Sequence, residues 1–143
     1  MTRVPSFAWV RWDTTIDVPA TTLDELIATH GLPDFVKIDV EGMEHKVLAG
    51  LSRALAAISF EFVPSALDSA LASIERLERL GLYRFNVSLG ESLALEFAEW
   101  IGPAQLRDWL CARDPTGSSG DVYARLVTPI PTTAAEPVTV ALP

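Results

Sequence analysis

The sequence is short of cysteine and of positive charge, and each shortage excludes a class of protein. A single cysteine, Cys111, rules out an internal disulfide and gives no sign of an oxidising compartment. We expect this thiol to be a small core residue, although a reactive thiol is the alternative. Eleven Lys and Arg stand against 19 Asp and Glu, a formal net charge of −8. So acidic a chain lacks the basic surface that binds nucleic acid or an anionic membrane.

Several sequence motifs are also missing. No apolar run approaches the ~20 residues of a membrane span, and no N-terminal stretch is typical of a signal peptide, so we expect a soluble cytoplasmic protein. The sequence contains no G-x-S-x-G nucleophile elbow, no phosphate-binding G-x-x-x-x-G-K-[ST] loop and no G-x-G-x-x-G turn. His30 and His45 lie far apart beside one cysteine, so no transition-metal site is predicted.

The chain has 143 residues and is 49% apolar, enough for one domain with a core. We predict a domain over residues 1–128 and a flexible tail rich in Pro, Thr and Ala over 129–143. Apolar patterning alternates strands and helices, which indicates an α/β fold with a parallel, doubly wound sheet. The predicted strands are 7–12, 35–40, 57–63, 83–88 and 121–127, with an ambiguous strand at 93–97. The predicted helices are one capped by Thr22 and ended by Gly31, then 43–55, 66–80 and 103–111.

Charged residues alternate along the strand at 35–40, which is apolar enough to be buried on both faces. If the strand persists, Lys37, Asp39 and Glu41 point to the same side. Ligands of such sheets bind at the carboxyl ends of the strands, so these groups predict a site for proton transfer, substrate orientation or hard-metal binding. The alternative is structural: Asp39 and Glu41 accept hydrogen bonds from the following turn and helix N-terminus.

Two further side chains are candidates for the same site. Glu61 lies between two phenylalanines in the next strand, where a carboxylate is costly unless it is paired. It is either a substrate or cofactor contact or the ion-pair partner of Lys37. His45 follows the turn at Gly42, and its alternative is an ordinary surface histidine.

Several segments between Thr15 and Arg125 together resemble the FkbM-type methyltransferases. The most specific is Lys37-Ile38-Asp39-Val40-Glu41-Gly42-Met43-Glu44. The others are Thr21–Leu26, Val47–Gly50, Ser59–Phe62 and Gly120–Arg125.

The resemblance implies a Rossmann-like, class I fold that uses S-adenosylmethionine, usually to methylate a hydroxyl of a natural product or sugar. It places Asp39 and Glu41 as catalytic pocket residues and Asp39 and Val40 beside the methyl donor. Lys37, Glu61 and His45 then belong to the pocket of a small hydroxyl acceptor. The resemblance implies no metal.

The sequence departs from that family at its N-terminal, cofactor-binding side. No strand with a glycine-rich turn precedes Thr15, so we expect an incomplete fold that is weakly active or inactive alone. One alternative is a binding or assembly module in which the exposed edge of the strand at 35–40 pairs with another copy or with a missing N-terminal half. A weaker alternative is a metal-assisted hydrolase that uses Asp39, Glu41 and Glu61.

Overall fold

Strands and helices alternate along the chain as an α/β fold requires. The computed structural model describes residues 16–127. Its helices are α1 (Leu23–His30), α2 (Glu44–Ala49), α3 (Asp68–Leu80) and α4 (Pro103–Cys111), with a 3₁₀ helix at Pro64–Ala66. Its strands are β1 (Val36–Ile38), β2 (Ala57–Phe62), β3 (Tyr83–Leu89) and β4 (Gly120–Leu126). The predicted strand at 7–12 and the predicted tail from residue 129 lie outside the described residues.

The strands form one mixed sheet in the order β1-β2-β4-β3. β1 and β2 run parallel, whereas β4 is antiparallel to both of its neighbours. The predicted α/β class is therefore confirmed, but the expectation of a wholly parallel sheet is wrong. β4 returns beside β3, the strand before it in the chain, in the opposite direction, and an antiparallel neighbour of this kind needs no crossover.

The first helix begins and ends as its sequence predicts. The Thr22 hydroxyl accepts a hydrogen bond from the Glu25 amide at 3.2 Å, and the Glu25 carboxylate accepts one from the Thr22 amide at 2.9 Å. This reciprocal pair is a complete capping box. Gly31 ends the helix with a φ of 91°, a conformation that favours glycine.

Helices α2, α3 and α4 form a packed layer, in which α3 contacts α2, α4 and β2, and α4 contacts β3. Helix α2 is shorter than predicted, because Gly50 ends it where the chain packs closely against Thr22. Met43, which was predicted to begin this helix, precedes it and is 44% exposed. No helix within residues 16–127 is long and apolar enough to cross a bilayer. Fully buried side chains of the core include Leu48, Leu51, Leu55, Ile58, Phe60, Ile74, Leu77, Phe85, Leu106 and Leu110.

Strand β1 is shorter and less buried than predicted. Its pairing stops at Ile38, and Glu41 and Gly42 then adopt φ angles of 54° and 89°, which turn the chain away. Phe35 is 50% exposed and Val40 is 38% exposed. The expectation of a strand buried on both faces is therefore wrong, because Lys37 is exposed, Val36 is half-buried and only Ile38 is buried.

Two smaller expectations are also wrong. Residues 93–97 form no strand, because Leu93 has a φ of 53° and the Asn86 side-chain amide bonds to both backbone groups of Phe97 instead. Cys111 is exposed at the end of α4 and is not a core residue. The spacing predicted correctly that Cys111 lies on this helix. Its side chain faces away from the buried Leu106 and Leu110.

A buried tyrosine ties the start of β3 to the segment before β2. The Tyr83 hydroxyl donates to the Leu55 carbonyl and accepts from the Leu55 amide, both at 2.8 Å, and both residues are almost fully buried. Tyr83→Phe leaves two buried backbone groups unpaired, so we expect a loss of about 1–3 kcal/mol in the free energy of unfolding, measured with urea. Tyr123→Phe is the matched control, because the Tyr123 hydroxyl makes no hydrogen bond within residues 16–127. Equal losses in the two variants would contradict this account.

Candidate active site

Charged side chains from all four strands or their ends line a cavity of about 360 Å³. The cavity lies where β1 and β2 end, where β4 begins, and beside the turn after β3. We name it the acidic cavity, because carboxylates outnumber its one lysine. Its charged lining residues are Lys37, Asp39, Glu41, Glu61, Glu91 and Asp121.

Lys37 is paired with two carboxylates of this cavity. Its Nζ lies 3.6 Å from Asp39 and 3.8 Å from Asp121, and these neighbours, Asp121 foremost, raise the pKa of the lysine. The side chains of Lys37 and Asp39 are each about half exposed, so these ion pairs are weak and can rearrange around a ligand. Lys37 makes no ion pair with Glu61 within the described residues, so the predicted alternative role for Glu61 is not observed.

Glu61 lies in an environment that opposes its charge. It occupies β2 opposite Asp121 of β4, and it is half-buried. Burial raises the pKa of Glu61, and the nearby charges of Asp39, Glu41, Glu44 and Asp121 raise it further. A carboxyl group with a raised pKa at a cavity is suited to proton exchange or to donating a hydrogen bond.

A second cavity, of about 210 Å³, lies between α2, the end of β2 and the start of α3. We name it the inner cavity. Its walls combine the apolar groups of Phe62, Val63, Ala66 and Ala70 with several polar side chains. The two cavities share Glu41 and Glu61, so these carboxyl groups stand between them. The polar lining residues of the inner cavity are Glu41, Glu44, His45, Glu61, Asp68 and Ser69.

Glu44 joins segments that line the inner cavity through its hydrogen bonds. It was not among the site residues predicted from the sequence. Only 1% of its surface is exposed. One carboxylate oxygen accepts from the amides of Gly42 at 3.0 Å and Val40 at 3.4 Å, and the other accepts from the Ser69 hydroxyl at 2.9 Å. The signal was an acidic residue in the first helical turn, directly after a glycine turn, where free amides face it.

The structure separates the predicted site residues into three groups. Lys37, Asp39, Glu41 and Glu61 line the acidic cavity, and His45 lines the inner cavity with Glu41 and Glu61. Val40 lines neither cavity.

The structural alternative supposed that Asp39 and Glu41 accept hydrogen bonds from the turn. Within the described residues they do not. Glu44 accepts from the amides of the turn instead, and its bonds include that to the amide of Val40. The catalytic and cofactor roles of Asp39, Glu41 and Val40 stay predictions. Sequence reasoning also missed Ser69, Glu91 and Asp121, which lie far from the 37–45 segment in the chain.

The acidic residues of residues 16–127 do not form a metal centre. This part of the chain contains no group of three or more His, Cys, Asp or Glu side chains placed to hold a metal ion. The metal-assisted hydrolase alternative therefore has no geometric support there.

Comparison with known families identifies a matching family model. The family model described as the methyltransferase FkbM domain matches residues 3–112, well over half of the chain. No curated protein matches the sequence.

The raised pKa of Glu61 predicts a pH-dependent effect on stability. Between the unfolded and folded pKa values the folded state holds more protons, so charging Glu61 lowers the free energy of unfolding as pH rises. We therefore expect Glu61→Gln to become more stable relative to the wild-type chain as pH increases from 4 to 8. Denaturant unfolding at several pH values measures this difference. Glu99→Gln is the control, since Glu99 is exposed, and a Glu61→Gln difference that stays constant or falls with pH would contradict the argument.

Proposed function

The chain belongs to the FkbM methyltransferase family, and from this membership we propose that it is an S-adenosylmethionine-dependent enzyme with a class I, Rossmann-like fold. The acceptor is a hydroxyl group of a small molecule such as a natural product or sugar. One observation carries the proposal: the acidic and inner cavities meet at Glu41 and Glu61, at the carboxyl ends of the parallel strands β1 and β2. Ligands of α/β sheets bind at such ends.

The residues at the end of β1 fit part of the methyl donor. S-adenosylmethionine carries a positive sulfonium, and when bound it supplies an electrophilic methyl group. The Asp39 carboxylate is 54% exposed and belongs to a cavity in which negative charge predominates. Val40 beside it exposes apolar surface. Asp39 would therefore hold the donor through charge, and Val40, which is next to it but outside both cavities, would add apolar contact at the rim.

The groups between the cavities suit an acceptor hydroxyl. Glu41 is an exposed carboxylate at a turn, and Glu61 has a raised pKa that favours its neutral form, which both donates and accepts hydrogen bonds. Together they orient a hydroxyl, with Lys37 as a supporting cation. Methyl transfer is an in-line displacement, so this orientation contributes to the rate through positioning.

The charge of the acidic cavity predicts a preference between two ligands. S-adenosylmethionine is cationic at sulfur and S-adenosylhomocysteine is neutral there, so we expect the cationic ligand to bind more tightly. Asp39→Asn should reduce that preference by about threefold to tenfold, the effect of one partly exposed charge of roughly 1 kcal/mol. Isothermal titration calorimetry at low salt measures both constants. We expect weak binding, because the sequence has no G-x-G-x-x-G turn.

Asp34→Asn is the matched control for this experiment. Asp34 is an exposed acid five residues earlier that lines neither cavity, so the preference should be unchanged in this variant. A folded chain that binds neither ligand would overturn the proposed function. Equal preferences in the two variants would overturn the placement of the sulfonium at Asp39.

A second candidate function is an assembly module, favoured by the edge of the sheet. Within residues 16–127 strand β1 pairs only on its β2 side, and the adjoining Phe35 and Met43 are 50% and 44% exposed. Such an edge can pair with a second copy of the chain.

Light scattering tests this candidate. The assembly function predicts that the wild-type chain forms dimers. The dimer fraction should fall at least tenfold in Phe35→Asp, because a charge then enters the paired surface. Leu93→Asp is the control, because Leu93 is 93% exposed on the loop after β3, and β3 is the strand at the opposite edge of the sheet from β1. A monomer at millimolar concentration would refute the assembly function.

A further inference from the structure

We propose that the Nε2 atom of His45 accepts the proton of a phenolic hydroxyl bound in the inner cavity, while Ser69 and Glu44 hold the imidazole in the required tautomer. This inference rests on the proposed methyl transfer and names its base and its class of acceptor.

A chain of hydrogen bonds determines which ring nitrogen carries the proton. A carboxylate only accepts hydrogen bonds, so the Ser69 hydroxyl donates to Glu44 over their 2.9 Å contact. The Ser69 oxygen therefore accepts over its 2.9 Å contact with Nδ1 of His45, and Nδ1 must carry hydrogen. In a neutral imidazole, Nε2 then has a free electron pair.

Nε2 is the ring nitrogen of His45 that residues 16–127 leave without a hydrogen-bond partner. His45 is a lining residue of the inner cavity. Ser69 cannot easily change its role, because its partner Glu44 is 99% buried and also accepts from two backbone amides. The imidazole ring is therefore held through Nδ1, and Nε2 is available to a ligand.

The other charged groups that line the cavity are all acids. They are Glu41 from the turn, Glu44 from α2, Glu61 from β2 and Asp68 beside Ser69 on α3. No lysine or arginine of residues 16–127 lines it.

The cavity also indicates the class of hydroxyl. Its walls at Phe62, Val63 and Ala66 are apolar, and its volume of about 210 Å³ suits a small ring. An imidazole, with a reference pKa of about 6.5, takes a proton far more readily from a phenol, at about 10, than from a sugar alcohol. An aromatic hydroxyl therefore matches both the walls and the base.

The proposed step is balanced without a further reagent beyond the methyl donor. The O–H bond of the phenol breaks, its proton goes to Nε2 of His45, and its electron pair stays on oxygen. That oxygen forms a bond to the methyl carbon, whose bond to the sulfonium sulfur breaks with the electron pair left on sulfur. The imidazolium later returns its proton to water.

The resting tautomer tests the arrangement without any turnover. The chain has only two histidines, and His30 is exposed, so it serves as an internal reference in ¹⁵N NMR spectra of the imidazole rings. We expect neutral His45 to be protonated at Nδ1, unlike His30. Ser69→Ala should shift His45 towards the pattern of His30. A wild-type His45 that is protonated at Nε2 would overturn the inference.

Phenol is the probe for the binding and transfer steps. We expect His45→Gln to weaken phenol binding at least tenfold and to slow methyl transfer from S-adenosylmethionine to phenol by about 100-fold. His30→Gln should change neither.

The outcomes separate this inference from the proposed function. A wild-type chain that binds the methyl donor but binds phenol no better than His45→Gln does would overturn the inference alone. Methylation of sugar alcohols but not of phenol would also overturn it alone. A folded wild-type chain that binds no donor would overturn the proposed function, and the inference with it.

Discussion

Both cavities depend on the hydrogen bonds that the buried carboxylate of Glu44 accepts. It accepts hydrogen bonds from the turn at Val40 and Gly42 and from Ser69 on α3, and it begins α2. These bonds join three segments that the three-residue strand β1 alone would hold weakly. A buried carboxylate is tolerated only when such donors surround it. The hydrogen bonds to Glu44 thus fix both the position of Glu41 and the orientation of His45.

The distribution of charge divides the site into two environments. The acidic cavity is open, contains the exposed Asp39 and Lys37, and suits a charged ligand that brings its own counter-charge. The inner cavity is smaller and partly apolar. Glu61 stands between them, and burial together with like charges raises its pKa. A cationic methyl donor and an aromatic acceptor would thus meet at a carboxyl group whose pKa is raised.

Local sequence patterns predicted the elements whose signals are local. The capping box at Thr22, the start of α4 at Pro103 and the alternation of strand and helix were all confirmed. The errors occur where a distant residue decides the outcome. Phe97, in the segment 93–97, bonds to the side chain of Asn86, eleven positions earlier. Cys111 is exposed because its helix presents Leu106 and Leu110 to the core. Apolar composition alone could not show that Phe35 and Val40, which lie outside the short strand β1, are exposed.

The sequence by itself determined the α/β class, the family and the acidic residues at the end of β1, since each is encoded in a continuous stretch of chain. The tertiary structure decided which of those residues share a cavity and what surrounds them. Ser69 meets Glu44 and His45 from more than twenty positions away. Asp121 reaches Lys37 only because β4 inserts antiparallel beside β2. Hydrogen bonds and charge interactions act through space, so spacing along the chain cannot predict contacts that depend on strand order.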